Sequence, residues 1–319
     1  MADVSELYEC PVAAAQRYVD FLKNSESGVS MTTELLRLRT LLGDYPNTLA
    51  LKSGAVKSPR LTFDFSDVKP PQNAFKAVVR GEFDVAELAI VTYLQTLAHG
   101  KPVVLLPTVV MAIPPHPCIA YNATRGNLQP ADLPGLRVGI RAHSVTTVTW
   151  VRGILANDYG VDLDRVNWMS YEDPHVPECV EPPNVTRAPQ GKALLDMLHA
   201  GELDAGVVSA GDVDGVRLKH LIPDPQAALA QWRKQNGVQP LNHVFVMHRR
   251  IAREQPWLGA EMLQLLQQSA TAAPQDMKGR DYIQSGIDAL RPTLDLIIHY
   301  AAQQGLIPRR FSVDDLFTM

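Results

Sequence analysis

The chain has 319 residues, 46% of them apolar and 20% charged, with a formal net charge of −4. That length is enough for two α/β lobes with their own cores, and the composition is that of an ordinary globular protein. A weak negative charge without any Lys/Arg run excludes the basic footprint of a nucleic-acid binder and a surface made for anionic lipid.

The start of the chain, Met1 to Glu6, is acidic and polar, without the basic and apolar regions of a secretory signal. No stretch reaches the roughly 18 apolar residues of a membrane span. Cys10, Cys118 and Cys179 are widely spaced and form no CxxC pair, which fits reduced thiols in a cytoplasmic protein. The first 34 residues, 1–34, read as an N-terminal extension. Val12, Ala15, Val19 and Leu22 recur at roughly helical spacing, and the polar stretch 24–28 follows as a linker. A helix of this kind suits packing on a neighbouring subunit, so a homo-oligomer is expected.

From Leu35 onward, apolar runs alternate with helical patterns. Strands are predicted over 35–42, 61–65, 83–88, 103–109, 136–140, 166–169, 205–209 and 243–247. Helices are predicted over 73–80, 146–158, 257–273 and 286–304. Strands alternating with helices imply a mainly parallel sheet covered on both faces. There is also an internal echo: residues 75–86 and 195–206 each read as a helix, a Gly-Glu stop and a strand opening with Asp. Two such units point to two lobes of similar build. The expected division is 35–120 plus 245–319 as the first lobe and 121–244 as the second, with a ligand cleft between them. The chain would cross near Tyr121-Asn122 and again near Leu241-Asn242-His243.

In open α/β sheets, ligands bind beyond the carboxyl ends of the strands. Three such corners stand out, at 43–48, 83–88 and 149–153. At the first, Asp44 and Tyr45 are either ligand contacts or a helix cap with a buried tyrosine. Glu87 falls at the second on a core-facing position, where a carboxylate must be paired, protonated or functional. The segment from Arg141 through His143 to Thr146 and Thr147 joins a strand to a helix N-terminus, a natural place for a carboxylate. Arg152 lies further along that helix and is a further substrate-binding candidate, read equally well as a surface or lobe-packing residue. Of nine histidines, His116, His143 and His243 sit at predicted cleft edges and are the acid/base candidates. A divalent metal is a minority alternative, with His116, His143, His243 and Glu87 as its ligands, although no local ligand spacing marks it. No GxGxxG, P-loop or GxSxG motif is present, so no organic cofactor is expected.

Taken together these motifs resemble the 4,5-dihydroxyphthalate decarboxylase family. The segments that carry the resemblance are Gly43-Asp44-Tyr45 with Thr48, the run from Glu82 to Glu87 with Tyr93-Leu94, and His116 before Tyr121-Asn122. Asp132-Leu133 through Gly139, Trp150 to Gly153 with Tyr159-Gly160, and Pro240 to His243 complete it. The chain departs from the family pattern at Pro115-His116, at Arg141 to His143 and after Ser209. The resemblance implies a two-lobed type II periplasmic-binding-protein-like fold of α/β class, and loss of carbon dioxide from 4,5-dihydroxyphthalate to give protocatechuate. On chemical grounds His116 and His243 are the expected acid/base pair, with Glu87 orienting one of them. Arg141, Thr146 and Thr147 would hold the retained carboxylate, and Tyr45 or Tyr93 would cover the ring. The partner is then a small aromatic carboxylate. The rival reading is a non-catalytic cytoplasmic binding protein for an aromatic dicarboxylate, and a third is an enzyme acting on another substituted benzoate.

Overall fold

A computed structural model of the chain describes residues 35–277 and 280–317. The expected N-terminal extension lies outside them. Eleven strands occur among the described residues: β1 (Leu36–Leu41), β2 (Leu61–Phe65), β3 (Val85–Ala89), β4 (Val103–Met111), β5 (Ile119–Asn122), β6 (Arg137–Ile140), β7 (Asn167–Ser170), β8 (Val185–Arg187), β9 (Ala205–Val207), β10 (Leu218–His220) and β11 (His243–His248). They form one five-stranded sheet, β2-β1-β3-β11-β4, and one six-stranded sheet, β10-β5-β9-β6-β7-β8.

The expectation of mainly parallel sheets needs correcting. In the first sheet β1 runs parallel to β2 and β3, but β11 is antiparallel to both β3 and β4. In the second, β9, β6, β7 and β8 are parallel, and β5 is antiparallel to β9 and β10. Dropping the edge strand β8, the two orders become one pattern: β2-β1-β3-β11-β4 and β7-β6-β9-β5-β10. In each, the inserted antiparallel strand comes from the segment where the chain changes unit.

The described residues separate into two compact units, one of 35–112, 243–298 and 309–317 and the other of 113–242 with 299–308. Three boundaries differ from the sequence expectation: residues 243–244, expected in the second lobe, go with the first unit through β11, and two further stretches change sides. The stretch 113–120 goes with the second unit because β5 hydrogen-bonds to β9 and β10 there. Residues 299–308 also go with the second unit, where the Gln304 amide donates to the Thr149 carbonyl at 2.9 Å.

The internal echo marks equivalent places in the two sheets. Gly81 (φ 82°) and Gly201 (φ 74°) each end a short helix in the left-handed conformation that favours glycine. The next residue folds back in both: the Glu82 N–H bonds to the Ala77 carbonyl at 3.1 Å and the Glu202 N–H to the Met197 carbonyl at 2.9 Å. Asp84 then accepts the Arg39 N–H at 2.9 Å, and Asp204 accepts the Arg137 N–H at 2.9 Å. Each aspartate thus pins its strand to the neighbouring one, β3 to β1 and β9 to β6. These aspartates are structural.

In the first unit, Leu258, Met262, Leu265 and Leu266 lie on one face of the helix Leu258–Thr271 and pack with Leu38, Val85, Leu106 and Phe245. The second unit has a cluster of Met197, Leu198 and Leu203 against Ala120 and Leu218. β3 is buried along its whole length, which is the position of Glu87.

Candidate active site

The carboxyl end of β1 turns at Gly43 to Thr48. The Tyr45 N–H donates to the Thr48 hydroxyl at 2.9 Å, and that hydroxyl donates to the Gly43 carbonyl at 2.7 Å. The Asn47 amide donates to the Val110 carbonyl at 3.0 Å, which ties the turn to β4. The closed turn presents two donors to one carboxylate. The Gly43 N–H reaches Glu87 Oε2 at 2.6 Å and the Tyr45 hydroxyl reaches Glu87 Oε1 at 2.9 Å.

The third donor comes from β11. His243 pairs with Ala89 in the β3–β11 ladder, two residues from Glu87 along β3. That diagonal is within reach of a long side chain, and His243 Nδ1 lies 2.9 Å from Glu87 Oε1. A carboxylate only accepts, so Nδ1 carries the proton and Nε2 of the neutral ring presents its lone pair. Among the described residues nothing bonds to Nε2. The Phe75 ring stands edge-on to the imidazole, with centroids 5.1 Å apart. Glu87 is 0% exposed and His243 is 8% exposed, so the imidazole is the member of the pair that meets solvent. Burial and the Glu87 charge raise the Tyr45 hydroxyl far above its ordinary value, so Tyr45 is a fixed donor and not a base.

Two other expected contacts in this unit are otherwise engaged. Asp44 points outward to Lys52 and to Lys69, the latter at 2.5 Å, and these bonds lower its carboxyl to about 2. Tyr93 is a core residue of the helix Ile90–Ala98; its hydroxyl donates to the Leu316 carbonyl, and burial raises it.

In the second unit, the helix Thr146–Tyr159 begins at Val145 without a side-chain cap. Thr147 accepts a bond from the Asn242 amide at 2.8 Å, and Asn242 Oδ1 accepts the Ile113 N–H at 2.6 Å. Arg141, expected to grip a carboxylate, is paired with Glu172, Nε to Oε2 at 3.3 Å. Arg152 is only 2% exposed. Its guanidinium donates to His143 Nδ1 and, at 3.2 Å, to the His143 carbonyl, and lies 5.6 Å from the Trp168 ring centre. Its Nε is buried without a partner, and among the described residues it has no carboxylate. Burial lowers Arg152 to about 9, still protonated at neutral pH.

His143 is therefore not a free site residue. Burial and the Arg152 charge lower it to about 2, and its ring also bonds to the Gln304 backbone. The guanidinium occupies the lone pair a metal would need. Among the described residues no group of three His, Cys, Asp or Glu side chains is placed to hold a metal ion. His116 is buried edge-on to Trp232 at 5.7 Å, with Nδ1 unpartnered, and burial lowers it to about 4. Near pH 7 its ring is neutral, with hydrogen on one nitrogen and a lone pair on the other. Cys118 donates its thiol to the Pro114 carbonyl at 3.2 Å, and burial raises it to about 11, which leaves it inert.

The sequence alone did not single out Asn242, Glu172, Phe75, Trp168 or Trp232 for these roles. Asn242 adjoins the predicted crossing and Glu172 follows a predicted strand, and both positions were legible. The aromatic contacts left no local signal.

No family model matches the chain. A 4,5-dihydroxyphthalate decarboxylase of Comamonas testosteroni is 29% identical over 254 residues, which cover 75% of this chain and 76% of that protein. The chain resembles the 4,5-dihydroxyphthalate decarboxylases. A second, from Pseudomonas putida, is 29% identical over 209 residues, 62% of this chain and 81% of that one. Among solved structures, the aliphatic sulphonate-binding protein SsuA of Escherichia coli superposes with a TM-score of 0.58 at 12% identity, over 90% of this chain and 98% of that one. The alkanesulfonate-binding SsuA of Xanthomonas axonopodis pv. citri, bound to MOPS, gives 0.54 at 15% identity, over 90% and 99%. The desulfurization enzyme DSZB gives 0.53 at 13% identity, over 88% and 95%. The chain has the periplasmic-binding-protein fold. That fold carries both binding proteins and an enzyme, so it does not choose between them.

Proposed function

We propose that this chain is a carboxy-lyase that converts 4,5-dihydroxyphthalate to protocatechuate and carbon dioxide. The likeness to two curated decarboxylases over most of the chain carries the reading, and the Glu87–His243 pair supplies chemistry that fits it.

One ring carboxylate of the substrate is para to a hydroxyl. His243 Nε2 takes the proton of that hydroxyl, and Glu87 stabilises the imidazolium through Nδ1. The phenolate pushes electron density to the carbon bearing the carboxylate. That carbon takes a proton, from the imidazolium directly or through a water, and the ring becomes a dienone. The bond to the carboxylate then breaks, its electron pair restores the aromatic ring and the phenolate, and carbon dioxide leaves. The phenolate is reprotonated, so one proton is consumed per turnover. A free phenol ionises near pH 10, so a positioned base is needed at neutral pH.

In the second unit, Arg152 reaches back to the His143 carbonyl, just before the uncapped start of the helix Thr146–Tyr159. A buried guanidinium and a helix N-terminus both favour an anion, so Arg152, Thr146 and Thr147 are proposed to hold a substrate carboxylate. Cys118 and Cys179 are both free thiols, which supports a cytoplasmic setting. Among the described residues no helix is long and apolar enough to cross a membrane.

The second reading, a non-catalytic binding protein for an aromatic dicarboxylate, has the sulfonate-binding neighbours in its favour. Incubating the purified chain with 4,5-dihydroxyphthalate and following carbon dioxide separates the two.

A further inference from the structure

We infer that Tyr45 is a positioning residue for the Glu87–His243 pair, and that residue 43 is glycine so that the Tyr45 ring can fold onto it. The inference rests on His243 being the proton-transfer group proposed above.

Tyr45 and His243 converge on the same oxygen, Glu87 Oε1, each at 2.9 Å. Two donors on one oxygen share its electron density, so removing either strengthens the bond to the other. The phenol therefore sets how strongly Glu87 holds the His243 Nδ1 proton. The Tyr45 ring is half-buried against the first unit's core, and its backbone is fixed by the Thr48 hydroxyl. It has little freedom to leave Glu87.

The ring lies where a side chain on residue 43 would be. A Cβ on Gly43 would stand 2.5 Å from Tyr45 Cζ, 2.6 Å from Cε2 and 2.7 Å from the hydroxyl oxygen. Real Cβ atoms do not approach so closely, so the ring would have to move. Gly43 itself has no left-handed backbone. An alanine is thus conformationally acceptable at 43, and the atoms that crowd its Cβ most closely belong to the Tyr45 ring. The Gly43 N–H meanwhile donates to the other carboxylate oxygen at 2.6 Å. One glycine supplies a donor to Oε2 and the space for the donor to Oε1.

The test uses the full chain as wild type, Tyr45→Phe, Tyr45→Ala, Gly43→Ala and the double variant Gly43→Ala/Tyr45→Ala, with folding checked by circular dichroism. Two readouts are taken: the NMR resonance of the His243 Nδ1 proton, assigned by its loss in His243→Asn, and steady-state decarboxylation of 4,5-dihydroxyphthalate. Tyr45→Phe is expected to move the resonance downfield. It should also lower kcat by about 3- to 10-fold, the scale of one hydrogen bond, with KM changed less than about twofold. Gly43→Ala should move the resonance in the same direction, but add nothing in the Tyr45→Ala background. An unmoved resonance in Tyr45→Phe would overturn the inference. So would a Gly43→Ala effect of the same size with and without the tyrosine ring. If the resonance responds as expected while the wild type releases no carbon dioxide, the positioning stands and the decarboxylase reading falls.

Discussion

His243 donates from Nδ1 to Glu87 Oε1 at 2.9 Å, across two antiparallel strands and 156 residues of sequence. Glu87 is fully enclosed and accepts two further donors, from Gly43 and Tyr45. The arrangement holds one imidazole in one tautomer and leaves its other nitrogen to work. His243→Asn separates these roles, because its amide still donates toward Glu87 but has no basic nitrogen. We expect kcat to fall by about 10²- to 10⁴-fold, with binding of a non-reactive diacid little changed. Glu87→Gln replaces a carboxylate that faces three donors with an amide that has one accepting oxygen. At least one buried donor is stranded, and stability should fall by about 1–3 kcal/mol, read by urea denaturation.

Acid should weaken the fold through two buried histidines. His116 is lowered from 6.5 to about 4 and His143 from 6.5 to about 2, both by burial, with the Arg152 charge adding to the second. Each binds fewer protons folded than unfolded between its two values. Stability is therefore complete above pH 6.5 and is lost as pH falls, through about 4 for His116 and on to about 2 for His143. The loss is about 1.4 kcal/mol per pH unit for each histidine inside its window. Guanidinium midpoints measured from pH 7 down to pH 4.5 check it, and His116→Gln should flatten the slope.

Arg152 should be a residue kept for binding at a cost in stability. A buried charge without a carboxylate partner is expensive, and replacement by an apolar side chain of similar size is often neutral or stabilising. Arg152→Met should leave the thermal midpoint unchanged or raise it. It should weaken binding of an aromatic dicarboxylate by about 1.5–3 kcal/mol, roughly 10- to 100-fold, read by calorimetry. A lower midpoint with unchanged affinity would make Arg152 a structural residue.

Gly153 is a packing position. A Cβ there would stand 2.1 Å from Cδ2 of the Tyr300 ring, in the interior of a helix. Gly153→Ala should destabilise the chain by about 1–3 kcal/mol through overpacking, despite the better helix propensity of alanine. Tyr300→Ala in the same chain should relieve that clash.

The parts of this structure that were legible in sequence are those set by local pattern. The Gly81-Glu82 and Gly201-Glu202 stops announced two similar units, because a helix end and a strand start need only neighbouring residues. Glu87 stood out as a carboxylate in an apolar strand, and His243 as a histidine at the start of another. Other features depend on distant neighbours. β5 and β10 are too short to show a period, and the antiparallel pairing of β5 with β9 and β10 makes the second sheet mixed, as β11 does the first. Arg141 had the right chemistry for an anion but lies beside Glu172, which the next strand brings to it. His143 and Tyr93 looked available because nothing nearby in sequence engages them; Arg152 and Leu316 do so in the fold.

The central claim is that this chain breaks a carbon–carbon bond. The direct measurement is carbon dioxide and protocatechuate released from 4,5-dihydroxyphthalate by the purified chain, with and without added divalent metal, beside His243→Asn. The expected result is equimolar formation of both products by the wild type, and a loss of at least about 10²-fold in the variant. Tight binding of the diacid with no carbon dioxide under either condition would contradict it, and would make the protein a binding protein.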